Sequence, residues 1–149
     1  MKPLRILETC LYASDLTAAE KFYGEVLGLE LHSKQLNRHL FFRCGEGMLL
    51  IFNPTATKEA ELSVGPSPIP GHGTTGEGHL AFAVSRTDLE AWRKRLAQYK
   101  LKIESEVSWP NGGRSVYFRD PANNSIEIAS ADIWAQKGGA YPIDEPAHS

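Results

Sequence analysis

Two-sided faces over residues 6–13, runs over 30–35 and 38–44 bounded by turn residues, and the continuous apolar run 48–52 predict four short strands. Between the first two, Leu16, Ala19, Phe22, Tyr23, Val26 and Leu27 follow the three-four spacing of a buried helical stripe. Ser14 and Asp15 stand where an N-cap belongs, and Gly28 where a left-handed C-terminal stop belongs. Leu36-Asn37 and Gly45-Glu46-Gly47 supply the turns, so this part reads βαβββ. Residues 54–77 are rich in Pro, Gly, Ser and Thr and carry no sustained period, which predicts a long loop acting as a linker or a lid. The pattern then restarts. A strand over 78–85 precedes a helix over 88–99 with Leu89, Trp92 and Leu96 on one stripe, and strands follow over 102–107, 114–120 and 125–129. The second part is again βαβββ.

The two parts also match in detail. Arg38-His39-Leu40-Phe41-Phe42-Arg43 parallels Arg114-Ser115-Val116-Tyr117-Phe118-Arg119, 76 positions on, and at that offset Glu127 falls on Ile51. Matching the helix starts instead, and allowing two extra residues, Arg86 and Thr87, before the second helix, brings Glu8 opposite His79. Equivalent ends of the two first strands thus carry Glu8 and His79, and one of the two last strands carries Glu127. Two half-sheets that each need a covering face predict a shared concave surface. The fold class expected is α+β, a single domain of two βαβββ modules over 6–53 and 78–130 joined by 54–77. In the tail, 131–149, Ile133 and Trp134 are expected to pack while the residues after Lys137 are loosely held.

Composition narrows the function classes. The chain has 149 residues, 42% of them hydrophobic and 23% charged, with a formal net charge of -2, so no basic surplus attracts nucleic acid or anionic lipid. No segment has the length or apolarity of a membrane span or signal peptide, and a cytoplasmic protein is expected. Cys10 and Cys44 sit in apparent strands without a Cys-x-x-Cys pattern and are expected to be buried thiols.

The strings ASDLTAAEKFYGEVLGLEL, GHLAFAVS and VYFRDPANNSIEIAS, in this order and spacing, closely resemble the vicinal oxygen chelate superfamily. That superfamily includes glyoxalase I, fosfomycin-resistance thiol transferases, extradiol dioxygenases and bleomycin-resistance proteins. The resemblance runs from about Ile6 to Trp134. It implies two βαβββ modules forming an incomplete mixed barrel, usually in a dimer, around one divalent metal. The second-module histidine of the family matches His79 and its last-strand glutamate matches Glu127. The first-strand ligand, usually histidine or glutamine, falls on Glu8, which is a departure. The fourth glyoxalase ligand is matched by apolar residues around Leu49 to Ile51, so a four-ligand glyoxalase I site is not expected.

Glu8, His79 and Glu127 would give a divalent ion three protein ligands and leave positions open for a small substrate with vicinal oxygens. The two carboxylates suit Mn, Fe, Mg, Co, Ni or Zn. By the family's layout the penultimate strand presents Ser115, Tyr117 and Arg119 to the cavity, and Tyr117 is a candidate hydrogen-bond donor to substrate, against a role as an aromatic filler. The repeat maps these positions to His39, Phe41 and Arg43, making His39 a candidate base and Arg43 a candidate anion clamp. His72, in the Gly-rich run PGHGTTGEG, reads as a solvent-exposed loop residue that a closing lid could bring over the metal. Two functions follow: a glyoxalase-like metal-dependent lyase, isomerase or dioxygenase, and a metal-free drug- or metabolite-binding protein of the bleomycin-resistance type. In either, the expected assembly is a homodimer, with the metal site shared between subunits in the first.

Overall fold

Asp15 starts the first helix as its sequence predicts, its Oδ1 accepting the Ala18 N–H at 2.9 Å. The computed structural model describes residues 1–58 and 63–134. Contacts divide the chain into two compact units, residues 1–79 with 119–124, and residues 80–118 with those from 125 on.

The first unit runs β1 (Glu8–Tyr12), α1 (Leu16–Lys21), β2 (Glu30–Gln35), β3 (His39–Cys44), β4 (Gly47–Phe52) and a short α2 (Pro54–Thr57). The single helix expected over residues 15–27 instead widens after Lys21 into a π turn, Phe22–Val26, closed by Leu27 N–H donating to Phe22 O at 3.1 Å. Phe22, Tyr23 and Val26 are all buried. Gly28, at φ 72°, ends the segment in the left-handed region that glycine adopts without cost. The strand order is β1-β4-β3-β2, with β1 parallel to β4 and the other neighbours antiparallel. Leu11, Leu40, Phe42, Leu49 and Ile51 fill the face that meets the helical segment, where Tyr23 and Phe42 rings lie 5.9 Å apart. Tyr23 also donates to Asp120 Oδ2 at 2.7 Å, and Asn124 Nδ2 donates to Tyr12 O at 3.3 Å, tying the 119–124 segment to this unit.

The expected loop over 54–77 carries more order than its composition predicts. Asn53 caps α2 by accepting from Thr55 N–H, and β5 (Ser63–Val64) pairs with β6 (Ser67–Pro68) in a minimal hairpin.

The second sheet contains β7 (His79–Val84), β8 (Ser105–Ser108), β9 (Arg114–Arg119) and β10 (Ser125–Ser130) in the order β7-β10-β9-β8, the same as the first. Helix α3 (Leu89–Gln98) buries Leu89 and Leu96 while Trp92 stays half-buried. The fold class is the expected α+β one, with two four-stranded sheets of one topology. Exposure along β7 alternates, and the histidine-alanine side, His79, Ala81 and Ala83, is the exposed one. Both cysteines are exposed rather than buried, since Cys10 lies on the helix-free side of the edge strand β1 and Cys44 ends the β3–β4 hairpin opposite Gly47. Ile133 packs as expected, 6% exposed and tight against Gly113, whereas Trp134 is 65% exposed because the 3-10 turn Ala131–Trp134 docks through its neighbour. The expectation for residues after Lys137 lies outside the described residues. No helix among the described residues is long and apolar enough to cross a membrane.

Candidate functional site

The register of the first sheet places three cross-strand rows on its helix-free face: Glu8, Met48 and Arg43; Cys10, Leu50 and Phe41; Tyr12, Phe52 and His39. Glu8, His39 and Arg43, chosen from sequence, thus share one face, with Glu8 and Arg43 in one end row and His39 in the other. His39 stacks on Phe41 with ring centroids 4.0 Å apart. Burial, and then the Arg38 charge, push the His39 imidazole below its ordinary value, so it is neutral at neutral pH and keeps one nitrogen as an acceptor. The Arg43 guanidinium reaches His32 Nδ1 at 3.2 Å and is exposed. No coordinating group stands on this face of β4 at the position of a fourth ligand, which is Leu50.

One further residue lies on this face against its expected exposure. His72 is half-buried rather than solvent-exposed, its Nδ1 2.8 Å from Tyr12 Oη and its ring 4.6 Å from Phe52. Burial, followed by the hydrogen bond and charge of Cys10, raises the Tyr12 phenol above its ordinary value, so the hydroxyl keeps its proton. The usable signal was local: Gly73 follows His72, and a glycine beside a histidine admits close approach of a loop to a sheet.

In the second sheet, Glu127 is buried at 5% exposure. Its facing follows from the turn before it. Asp120 N–H donates to Asn124 O, so three residues, Pro121 to Asn123, separate the paired positions, where the β3–β4 hairpin has two, Gly45 and Glu46. Counting back along six-residue antiparallel strands sets Tyr117 opposite Glu127, just as Phe41 stands opposite Leu50. Glu127 is therefore equivalent to Leu50, not to the Ile51 that the constant offset gives. Val116, Phe118, Ile126 and Ile128 form the apolar side of this hairpin, all at most 1% exposed. Of Tyr117's strand-mates, Ser115 accepts from Trp109 Nε1 at 2.8 Å and Arg119 pairs with Glu77 at 3.1 Å. His79 begins the edge strand β7, beside β10, and is exposed.

Among the described residues of one chain, no three His, Cys, Asp or Glu side chains lie together as a metal-binding group. The chemistry of the candidate donors does fit a divalent ion: one imidazole and two carboxylates are hard or borderline ligands, and a carboxylate as buried as Glu127 calls for a cation or hydrogen bonds to offset its desolvation.

Two βαβββ modules of identical strand order, with a carboxylate buried on the last strand of the second, define a glyoxalase-type architecture. The chain belongs to the Glyoxalase/Bleomycin resistance protein/Dioxygenase superfamily, whose sequence model matches residues 5–128. It is similar to the lactoylglutathione lyase of Agrobacterium tumefaciens, with 41% identity and a TM-score of 0.84 over 91% of this chain and 100% of that one. It is 30% identical over 126 residues to the glutathione transferase FosA of Serratia marcescens, covering 85% of this chain and 80% of that enzyme. A glyoxalase/dioxygenase from Nostoc punctiforme is 27% identical with a TM-score of 0.61, over 85% of this chain and 90% of that one.

Proposed function

We propose that the protein is a glyoxalase-like enzyme that holds one divalent metal with Glu8, His79 and Glu127 and acts on a small substrate with vicinal oxygens. The observation that carries this reading is the buried Glu127, set opposite Tyr117 on the last hairpin of a superfamily member. When bound, such an ion supplies Lewis-acid polarisation of the substrate's paired oxygens. Tyr117 Oη donates a hydrogen bond to substrate beside Glu127, and the neutral His39 accepts a proton. Similarity to the Agrobacterium tumefaciens lyase supports a lyase or isomerase over a dioxygenase, and replacement of the usual first-strand histidine by Glu8 points the same way. The protein works in solution as a homodimer in which Glu8 of one subunit joins His79 and Glu127 of the other.

Metal analysis of protein purified without chelator tests the reading. About one ion per chain is expected, with at least a tenfold loss of affinity in His79→Ala or Glu127→Ala. Wild-type protein that emerges empty and takes up no added Mn, Fe, Co, Ni, Zn or Mg sinks the enzyme reading and leaves the metal-free binder.

A further inference from the structure

A cavity of about 470 Å³ opens on the helix-free face of the first sheet, between Glu8 at one end and Tyr12, Phe52 and His72 at the other, with Cys10 and Leu50 as its floor. The segment that covers it is fixed at two points. His72 N–H donates to Thr57 O at 2.7 Å, and Thr57 is itself 1% exposed at the end of α2. Gly73 lies so close to the same turn that a Cβ there would stand 2.9 Å from Pro54 O and 3.1 Å from Lys58 Cγ. The backbone rather than the imidazole therefore holds His72 in place, and the ring is left to line the cavity. It meets Phe52 edge-on at 79° and Tyr12 at 5.9 Å between centroids, while Nδ1 and Tyr12 Oη share one hydrogen bond at 2.8 Å. With Tyr12 donating to Nδ1, the second ring nitrogen carries a proton of its own; with the opposite tautomer, the Tyr12 hydroxyl is released to donate. In both cases the pair keeps one donor to offer.

The chemistry of the wall is selective. Three aromatic rings and a leucine favour a flat apolar group. No lysine or arginine lines the cavity among the described residues, and its one charged group is the Glu8 carboxylate, so in the metal-free protein a second anion enters unpaired and is repelled. We infer that this cavity binds an uncharged planar ring or conjugated group bearing one hydroxyl or carbonyl oxygen, with the Tyr12–His72 pair addressing that oxygen. His72 and Tyr12 are then specificity-determining residues for the substrate. Calling the occupant the substrate rests on the metal-site reading above; its binding does not. The carboxylates of a glutathione adduct, the chemistry suggested by two of the similar proteins, do not fit this cavity.

Equilibrium dialysis of the full-length, chelator-treated protein against p-cresol, 4-methylbenzoate and S-methylglutathione tests the inference without metal. p-Cresol is expected to bind, and 4-methylbenzoate, an anion on the same ring, to bind about tenfold or more weakly. His72→Ala keeps the backbone hydrogen bond to Thr57 and is expected to fold, with p-cresol affinity reduced about three- to tenfold and partly restored in His72→Asn. Absence of p-cresol binding, equal or tighter binding of either anion, or unchanged p-cresol affinity in a folded His72→Ala protein overturns it. Loss of the metal reading with p-cresol binding intact removes only the word substrate.

Discussion

At the scale of single residues, the side chain with the most to lose is Tyr23. It is 0% exposed, and its hydroxyl donates to the buried Asp120 across 97 residues of sequence. Burial, then the Asp120 charge and hydrogen bond, push its pKa far above the ordinary tyrosine value of about 10. The unfolded chain releases this proton near pH 10 and the native state retains it, so the stability it contributes is full below about pH 10 and falls as pH rises beyond. Tyr23→Phe is expected to cost about 1–3 kcal/mol at neutral pH in urea unfolding, because a buried hydrogen bond to a charged group is lost. It is also expected to flatten the alkaline decline, and equally steep declines in both proteins would refute the assignment. Sequence placed Tyr23 on the right stripe, since periodicity reports burial, but a partner 97 positions away leaves no periodic trace. Glu8, His39 and Arg43 were legible for a related reason: strand alternation fixes which residues share a face once one is known. Cys10 misled because a small residue in a strand has no side preference of its own. Exposure on the open side of an edge strand followed from the sheet order, not from its neighbours in sequence.

Among elements, nearly every strand and both helices fell where alternation and three-four spacing put them. The π turn after α1 escaped because one extra residue in a helical ladder barely disturbs an apolar stripe. The 54–77 segment was read only by composition, which describes freedom and not anchoring. Its anchoring makes a prediction about α2: Gly73→Ala drives a Cβ against the Pro54 carbonyl and should destabilise the protein by about 1–3 kcal/mol through overpacking. Because His72 hangs from the same turn through Thr57 O, its ring NMR signals should move toward those of a solvent-exposed histidine. Unchanged signals and an unchanged unfolding midpoint would show that the segment is not held as described.

For the whole molecule, the repeat was legible twice over, in hydrophobic pattern and in family resemblance, and the shared strand order bears it out. The proposed assembly has a direct test. Glu8→Ala and His79→Ala proteins each lack a complete ligand set, but a heterodimer formed by co-refolding restores one complete site and leaves the other with only Glu127. About a quarter of the wild-type metal is expected in a statistical equal mixture, and about half in isolated heterodimers. Recovery of none, with heterodimers shown to form, would refute a site shared between subunits. What the constant offset could not show is how the halves came to carry different chemistry on the same scaffold. The residue added to the β9–β10 turn is absorbed inside the turn, so both hairpins keep one facing and Glu127 stands opposite Tyr117 as Leu50 stands opposite Phe41. A turn shortened by that residue should leave Glu127 opposite Tyr117. The hairpin works like a hinge pin of adjustable length: the loop drifts freely while the leaves stay aligned, and the difference between the halves comes down to one side chain, a carboxylate where the other half has a branched hydrocarbon.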